Sequence, residues 1–396
     1  MRDIEELKNR AVREVEQMKS ELSQISDWLY EHPELGSEEY RSAEYLTAYL
    51  RRKEFRVYRG TAKIPTAFVA SRGRGPPRIA FLAEYDALPN IGHGCGHNMI
   101  AAAAVGSAVA VSKLLDQIKG TVMVIGTPDE EARGKYAGSK IHLARAGVFR
   151  GIDAVLMMHG AVRYSVGGPA LAVRDLLIEF KGKTSHAAAS PEKGVNALDA
   201  AILTYVAVNT LRQHVRRDAN VVIHGIIAEG GRASNVIPDR ALLKYGVRSS
   251  DTSYVQELVE KIKDCARGAA VATGAKVFFG SNMPMYQGIK HNIVLENLVA
   301  RNLRKLGTRI QDPAEMRRQM PRASTDFGNV TQIVPAVSLS TKICPANTPG
   351  HSTAFRDATK TMLGRKGLLT ASKAMVMSAV ELMADKRTLG EMKKRK

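Results

Sequence analysis

The sequence predicts an α/β protein built on a large parallel sheet, with a smaller domain of strands and helices inserted into it. Over the first 170 residues, short and continuously apolar segments alternate with helical segments, which is typical of parallel strands covered on both faces. From residue 171 the strands alternate apolar and polar residues instead, and after residue 282 the first pattern returns. These changes divide the chain into a larger domain, residues 1–170 plus 283–396, and an inserted domain, residues 171–282.

The larger domain begins with two predicted helices and continues with alternating strands and helices. Apolar residues at helical spacing predict one helix over residues 2–30, and the acidic turn after Ser37 predicts a second. A small-residue helix is expected over residues 98–117, with Asn98 as its N-cap. Buried strands are expected in TAFVAS, PRIAFLAEY, GTVMVIG, IDAVLMM and AVSLST, further helices in IHLARAGVF, near residues 289–306 and from Arg365 to Asp385, and a loop up to residue 324.

The inserted domain has the element order β-α-β-β-α-β of the split βαβ, or ferredoxin-like, sandwich. Its first helix is expected to begin at Pro191 and to run to Val215, because proline is favoured in the first turn of a helix. The half-exposed alternation of its strands indicates that one face of its sheet meets solvent or a partner.

The composition limits the classes to which the protein can belong. Lysine and arginine exceed aspartate and glutamate by 19 charges, but the basic residues are scattered and lack interleaved aromatic residues, so no nucleic-acid partner is expected. The N-terminal segment is charged, and the apolar stretch from Met99 is too short to span a bilayer, so no membrane association is expected. Three cysteines exclude a full disulfide framework, so a reducing, cytoplasmic location is expected.

Polar side chains follow the strands of the larger domain where each strand ends. In chain order they are Asp86, the loop HGCGHN at residues 93–98, the acidic run Asp129-Glu130-Glu131, His159 and His351. In open parallel sheets, sites form outside the carboxyl ends of the strands, so these groups are expected to converge. All of them can bind a divalent metal ion.

The segment HGCGH combines two types of metal ligand. Cys95 and His97 stand two residues apart, so they point to one side of an extended segment, and the flanking glycines let the backbone approach an ion closely. A thiolate and an imidazole are good zinc ligands. Taken alone, the pair is a weak signal and is better explained by a small buried cysteine and a hydrogen-bonded core histidine. Together with the acidic run and the two later histidines, it predicts a metal site.

The adjacent glutamates Glu130 and Glu131 have a plain alternative as the solvated start of a helix. However, they follow a buried strand and precede Gly134, where the chain turns. One carboxylate can bind a metal ion while its neighbour acts as a general base on a metal-bound water, whose pKa falls toward about 7. Hydrolysis requires this division of roles.

These motifs resemble the co-catalytic metallopeptidase family that contains aminoacylases and glutamate carboxypeptidases. Within it they resemble the amidohydrolase branch, which holds p-aminobenzoyl-glutamate hydrolase, hippurate and auxin-conjugate hydrolases, and β-alanyl-lysine-type dipeptidases. The resemblance covers nearly the whole chain. It depends on HPELGSEE, EYDALPNIGHGCGHN, GTPDEE, MMHG, GKTSHAA, GGRASNVIPD, STDFGNV and PGHS.

The resemblance implies a role for each site residue of the larger domain, which would be the metal-binding catalytic domain. The implied metal ligands are Cys95, His97, Glu131, His159 and His351. Cys95 would bridge two divalent ions, either Zn²⁺ or Mn²⁺, with Co²⁺ and Ni²⁺ also compatible with these donors. Glu130 would be the general base, and Asp86 would orient a ligand histidine. Glu84 stands where related branches have a ligand histidine, so it is not assigned as a ligand, and a supporting role stays open.

The inserted domain would be the dimerisation domain. By resemblance, His186 would reach across a homodimer interface and stabilise the oxyanion of the tetrahedral intermediate in the partner's site. Taken alone, a histidine in KTSHAA is most often structural. Asn235, with Gly231 in the tight turn before it, resembles a segment that binds the substrate. The exposed sheet edge or the helices of the inserted domain would form the dimer surface.

The resulting hypothesis is metal-dependent hydrolysis of the amide bond in a small, carboxylate-bearing substrate. Candidates are an N-acyl amino acid, an aminobenzoyl-glutamate-like conjugate or a dipeptide. Hydrolytic deamination of an aromatic amine on the same scaffold is an alternative that the polar residues do not exclude. A third hypothesis is a metal-binding sensor without turnover, against which Glu130, Glu131 and His186 argue.

Overall fold

The computed structural model describes residues 3–132, 134–321 and 323–394, which divide into two compact units. The large unit comprises Met1–Pro169, Ile289–Gln319 and Asp326–Lys396, and the small unit comprises Ala170–Gly288 and Met320–Thr325. The small unit is therefore formed mainly by one continuous segment that interrupts the chain of the large unit.

The two units contain the following elements. The α-helices are α1 (Ile4–Gln17), α2 (Lys19–Glu31), α3 (Tyr40–Arg52), α4 (His97–Ser112), α5 (Ser139–Arg145), α6 (Ala197–Leu211), α7 (Thr252–Thr273), α8 (Ile293–Lys305), α9 (Pro313–Arg318), α10 (Phe327–Thr331), α11 (Thr353–Ala358), α12 (Met362–Ala384) and α13 (Lys386–Lys394). The strands are β1 (Arg56–Arg59), β2 (Phe68–Arg74), β3 (Arg78–Ala83), β4 (Gly120–Gly126), β5 (Ala154–Ala161), β6 (Ser165–Val166), β7 (Ala172–Lys181), β8 (Val222–Glu229), β9 (Arg240–Ser249), β10 (Lys276–Gly280) and β11 (Ala336–Lys342).

The sheet of the large unit is mostly parallel at its centre but not throughout. Its strand order is β1-β2-β4-β3-β5-β11-β6, and the four central strands β4, β3, β5 and β11 run parallel. Strands β1, β2 and β6 pair with their neighbours in antiparallel orientation, so the expectation of a wholly parallel sheet was wrong at the edges. The physical reason is the length of the links. Three residues join β2 to β3 and three join β5 to β6, whereas a parallel crossover needs a dozen or more.

Helix α4 lies in the core of the large unit, and every one of its residues is buried. Its small side chains allow close packing, and a Cβ atom at Gly106 would lie only 2.0 Å from Leu22 Cδ2. Asn98 was expected as the N-cap of this helix but lies inside its first turn, after Gly96 at φ +79°. The Asn98 amide instead donates hydrogen bonds to Ser26 O at 3.2 Å, Ser26 Oγ at 2.9 Å and Thr359 Oγ1 at 3.2 Å.

Two further expectations differ from the structure in detail. The helix expected over residues 2–30 is divided at Met18, whose ψ of 5° leaves the helical range, into α1 and α2. The loop expected before residue 324 contains α9, which begins after the N-cap Asp312. Among the described residues, α12 is the one helix long and apolar enough by composition to cross a membrane, and most of it is buried inside the large unit.

The small unit has the element order β7-α6-β8-β9-α7-β10 and a four-stranded antiparallel sheet in the order β10-β7-β9-β8. Both helices pack on β7 and β9 and against each other, so they cover one face of the sheet. Helix α6 begins after Asn196, not at Pro191, because the Asn196 side chain accepts hydrogen bonds from the backbone N–H groups of Leu198 and Asp199. Pro191 instead opens a separate 3₁₀ turn, Pro191–Lys193.

Candidate metal centre

The loops that leave the central strands carry the predicted donors of the large unit. Asp86 follows β3, Glu130 and Glu131 follow β4, His159 lies near the end of β5, and His351 lies in the loop after β11. Because these strands are neighbours that run in one direction, their carboxyl ends share one edge of the sheet. The topology therefore places residues up to 265 positions apart in sequence at a single location.

The five predicted ligands form two overlapping groups in which all donor atoms lie within 4.8 Å of one another, and His97 and Glu131 also form such a group with Glu130. One group is Cys95, His97 and His159, and the other is Cys95, Glu131 and His351. The Cys95 Sγ atom lies 3.4 Å from His159 Nε2, and Glu131 Oε1 lies 3.6 Å from His351 Nε2. The five predicted ligands thus come together, and the thiol is common to both groups.

Hydrogen bonds fix which ring nitrogen of His97 and of His159 faces this space. His97 Nδ1 lies 2.9 Å from the Asp86 carbonyl oxygen and 3.0 Å from Asp86 Oδ1, and His159 Nδ1 lies 2.7 Å from the Gly160 carbonyl oxygen. Because these oxygen atoms only accept, each Nδ1 carries the proton and donates it. In the neutral rings the Nε2 lone pairs are then available to a metal ion.

Asp86 also ties the ligand histidine to the acidic loop. Its Oδ1 atom accepts from His97, as described, while its Oδ2 atom accepts a hydrogen bond from the backbone N–H of Glu131 at 2.9 Å. The His351 loop is tied to the HGCGH loop in turn, since His351 N–H donates to the Gly94 carbonyl oxygen at 3.1 Å. His351 adopts a left-handed conformation at φ +56°. Backbone contacts therefore link the loops that carry the donors.

The electrostatics of the group indicate a site for cations. Burial alone would raise the pKa of the Cys95 thiol, but the His159, His351 and His97 imidazoles outweigh it and hold the pKa well below its usual range. Burial and the Cys95 thiolate raise the pKa of Glu131. An ion among these donors would offset the repulsion between the thiolate and the carboxylate.

Two buried atoms of the predicted metal ligands lack hydrogen-bond partners among the described residues. They are His97 Nε2 and Glu131 Oε1, which face each other at 4.0 Å. A buried polar atom without a partner costs free energy, and divalent metal ions bind imidazole, thiolate and carboxylate donors of this kind. The residues present therefore fit a metal centre.

Glu130 also belongs to a cluster of three carboxylates beside the metal donors. It forms a group with Glu84 and Asp326 in which the carboxylate oxygens lie within 4.8 Å of one another. Burial, followed by repulsion from Glu84, raises the pKa of Glu130 well above its usual range. The Lys140 ammonium lies 2.8 Å from Glu84 Oε1 and 2.5 Å from Asp326 Oδ1.

Lys140 was not predicted from the sequence as part of the site. A lysine at the start of the segment KIHLAR is typical of an exposed residue at the beginning of a helix, yet its side chain is fully buried. Burial alone would lower its pKa, but Asp326 and Glu84 outweigh this and keep the pKa above its usual value. Glu84 and Asp326 were visible in the sequence as acidic residues. Their common contact with Lys140 depends on the topology, which the sequence pattern does not give.

A second set of residues that was not predicted from the sequence holds the acidic loop. The Glu39 carboxylate is buried and accepts hydrogen bonds from the backbone N–H groups of Asp129 at 2.8 Å and Ser37 at 3.0 Å. Asp129 stands at φ +53°, and its carboxylate accepts from the backbone N–H groups of Gly134 and Tyr136, each at 3.0 Å. The HPELGSEE segment therefore fixes the conformation of the loop that carries Glu130 and Glu131.

His93 does not belong to the donor groups. Its ring is buried, and burial lowers its pKa to about 3. The ring is therefore neutral at physiological pH and packs as part of the core.

The predicted residues of the small unit lie together on two exposed segments. His186 forms an antiparallel bridge with Val236, and the backbone N–H of Ala187 donates to the Asn235 carbonyl oxygen at 3.0 Å. His186 Nδ1 accepts hydrogen bonds from the backbone N–H groups of Ala188 and Ala189 at 3.3 Å and 3.2 Å. The neutral ring therefore carries its proton on Nε2. Gly231, at φ +114°, forms the turn before Asn235.

The α/β fold has thiolate, imidazole and carboxylate donors clustered beside the half-buried Glu130. This combination is typical of a class, the hydrolases that use metal-activated water. Residues 80–361 match the model of peptidase family M20/M25/M40, and the chain belongs to this family.

Known relatives extend over most of the chain. It is 35% identical over 396 residues to Xaa-Arg dipeptidase of Mus musculus, covering 96% of this chain and 90% of the relative. It is 30% identical over 447 residues to a p-aminobenzoyl-glutamate hydrolase chain of Escherichia coli (strain K12), covering 95% of this chain and 92% of the relative. A dinuclear metal-binding peptidase of the M20 family from Bacillus subtilis shares the fold, with a TM-score of 0.69 at 24% identity over 93% of this chain and 99% of that one.

Proposed function

We propose that the protein is a two-ion amidohydrolase that cleaves the amide bond of a small, carboxylate-bearing substrate. The relatives over nearly the full chain are a dipeptidase and an aminobenzoyl-glutamate hydrolase, so the chain is a hydrolase of small amide substrates. The observation that carries the two-ion assignment is the pair of donor groups that share Cys95 next to Glu130. Deamination of an aromatic amine has no support from the relatives.

Each donor group would hold one divalent ion. His97 and His159 with Cys95 would bind the first, and Glu131 and His351 with Cys95 would bind the second. When bound, such ions supply Lewis acidity, which polarises a carbonyl oxygen and lowers the pKa of water toward about 7. The thiolate favours Zn²⁺, while the carboxylate and imidazoles also suit Mn²⁺.

The three cysteines are free thiols, which supports a cytoplasmic location.

Glu130 would move the proton during hydrolysis. Its raised pKa suits a group that takes a proton from the attacking water and then gives it to the leaving amine. The adjacent Glu131 would bind metal, so the two neighbouring carboxylates would have different roles. Asp86 would hold both His97 and the Glu131 backbone in place.

His186 and Asn235 would act from the small unit of a partner subunit. His186 is exposed, and its protonated Nε2 can donate a hydrogen bond to the oxyanion of the tetrahedral intermediate. Asn235, on the adjoining segment, would bind the substrate, with the Gly231 turn setting the course of the chain before it.

The small unit offers an apolar surface for a homodimer. On α6 the side chains of Ile202, Leu203 and Val206 are 44%, 45% and 55% exposed, and on the edge strand β8 Val222 and Ile226 are 45% and 59% exposed. An exposed apolar helix face and an unpaired strand edge are the features that isologous dimer interfaces cover.

Amine release from purified, metal-loaded protein tests the proposal. We expect cleavage within a panel of N-acyl amino acids, aminobenzoyl-glutamate and dipeptides with a basic C-terminal residue, and loss of that cleavage after chelation. Release of ammonia from an aromatic amine without amide cleavage would support deamination instead. Tight metal binding without turnover of any amide would indicate a binding protein.

A further inference from the structure

We propose that Glu84 is an additional metal-binding residue of this centre and that Lys140, held by Asp326, is the positioning residue that fixes its carboxylate. The inference builds on the proposed two-ion site and adds residues to it. Glu84 follows β3 directly, its side chain is 1% exposed, and its carboxylate lies between the Lys140 ammonium and the His97 ring.

The two oxygens of Glu84 have different surroundings. Oε1 lies 2.8 Å from Lys140 Nζ and forms an ion pair with it. Oε2 has no hydrogen-bond partner among the described residues and lies 3.5 Å from His97 Nε2, which also has none. Two buried atoms without partners therefore face the same small space.

Neither of these two atoms can satisfy the other when the ring is neutral. His97 Nδ1 is committed as a donor to Asp86, so Nε2 carries a lone pair, and a carboxylate oxygen also only accepts. Two buried acceptors facing each other are unfavourable unless the His97 ring takes up a second proton, which its raised pKa favours, or a metal ion lies between them and replaces that proton. The 3.5 Å separation matches the spacing of two ligands on one tetrahedral zinc ion, about 3.4 Å for metal–ligand distances near 2.1 Å.

Lys140 is itself fixed in position. Its backbone N–H donates to Asp326 Oδ2 at 3.2 Å, and its ammonium lies 2.5 Å from Asp326 Oδ1. One lysine therefore serves two buried carboxylates, Glu84 and Asp326, and balances one of their two negative charges, so that among the described residues the other charge faces only the ionisable His97 ring. The free oxygen of Glu84 is the place where a cation would balance that charge.

The Lys140 ammonium also argues against a separate metal site in the neighbouring acidic cluster. Judged by distance alone, the carboxylates of Glu84, Glu130 and Asp326 are spaced closely enough to hold a metal ion. The ammonium already lies against Glu84 and Asp326, so this cluster contains its own cation. Of the two oxygens of Glu84, Oε1 therefore faces the Lys140 ammonium, and Oε2 faces the place proposed for the ion at His97.

Metal affinity, measured by titrating metal-free protein with Zn²⁺ against a chromophoric chelator, tests the inference. Glu84→Gln should lower the affinity for one of the two ions by about 10- to 100-fold and leave the affinity for the other unchanged. Cobalt-loaded Glu84→Gln protein should show a changed visible absorption spectrum. The matched control is Glu296→Gln, which alters a buried, ion-paired carboxylate of the same unit that lies in neither donor group and should leave both affinities unchanged.

Lys140→Met should weaken the same ion, because Glu84 loses the contact that orients it. In the double variant Glu84→Gln with Lys140→Met, affinity should be no lower than in Glu84→Gln alone, since Lys140 acts only through Glu84. If Lys140→Met alone fails to fold, the double variant still allows the comparison, because it removes the Lys140 charge together with one of the two carboxylates that this lysine pairs. Unchanged affinity in Glu84→Gln, or additive losses in the double variant, would overturn the inference. Failure of the wild-type protein to bind two ions would instead contradict the proposed function.

Discussion

At the residue scale, the neighbours of a side chain decide its role more than its residue type. His93 and His97 stand in the same five-residue motif, yet His93 is a neutral core residue and His97 is oriented by Asp86 with its Nε2 atom directed at other donors. The sequence identified HGCGH as a place for metal ligands. Only the resemblance distinguished its two histidines, because the hydrogen bond to Nδ1 that separates them comes from a different strand end.

The same holds for the two adjacent glutamates, and a substitution separates their roles. Glu130→Gln should retain both metal ions, since Glu131 is unchanged, while kcat falls by about 10²- to 10⁴-fold or more because the general base is lost. Metal content by mass spectrometry and steady-state amide hydrolysis measure the two effects. Turnover at the wild-type rate would remove Glu130 from its proposed role.

At the element scale, the alternation of strands and helices predicted the central sheet, but link length decided strand direction. The three-residue links before β3 and before β6 force antiparallel strands, and this information was present in the sequence as GPP and VRY. The positions of Lys140 and Glu39 were not predictable in this way. Lys140 is buried against Glu84 and Asp326, and Glu39 against the loop that begins at Asp129, so both positions depend on contacts between segments far apart in the sequence.

The buried Glu39 carboxylate, which accepts hydrogen bonds from the backbone of Ser37 and Asp129, predicts a pH dependence of stability. Burial and the nearby Asp86 raise the pKa of Glu39 to about 8; the other ionisable groups around it are Tyr85 and Asp129. The folded state holds this proton while the unfolded chain releases it near pH 4.5, so the stability that Glu39 contributes is full below pH 4.5 and is lost as the pH rises to about 8.

Thermal unfolding of metal-free protein between pH 5 and about pH 8 measures this effect. Glu39→Gln copies the protonated side chain and still accepts both backbone hydrogen bonds. The melting temperature of the wild type should therefore fall relative to that of Glu39→Gln as the pH rises. The exposed neighbour Glu38 supplies the control, Glu38→Gln, whose curve should run parallel to the wild type. A parallel curve for Glu39→Gln would show that Glu39 is ionised throughout this range.

At the scale of the whole molecule, the proposed dimer depends on the apolar face of the small unit. Ile202→Glu combined with Val206→Glu places two charges on the exposed face of α6 and should convert a dimer to monomers in sedimentation velocity, with loss of hydrolysis. Val271→Glu, at a position on α7 that is 85% exposed, is the matched control and should remain dimeric. A dimer that survives the α6 substitutions would place the interface elsewhere.

Mixing two inactive variants tests whether the two chains of a dimer share a site. His186→Ala and Glu130→Gln should each be inactive alone. After the chains exchange, half of the dimers are mixed and each mixed dimer has one complete site, so roughly a quarter of wild-type activity should return. No recovery after confirmed exchange would show that His186 acts within its own chain or not at all.

Metal stoichiometry in ligand variants tests the central claim of a shared-thiolate centre most directly. Equilibrium dialysis should find two divalent ions per wild-type chain, and weakened binding of both ions in Cys95→Ser, because Cys95 belongs to both donor groups. His351→Ala and His159→Ala should each weaken a different single ion. Two ions bound with unchanged affinity in Cys95→Ser would contradict the account.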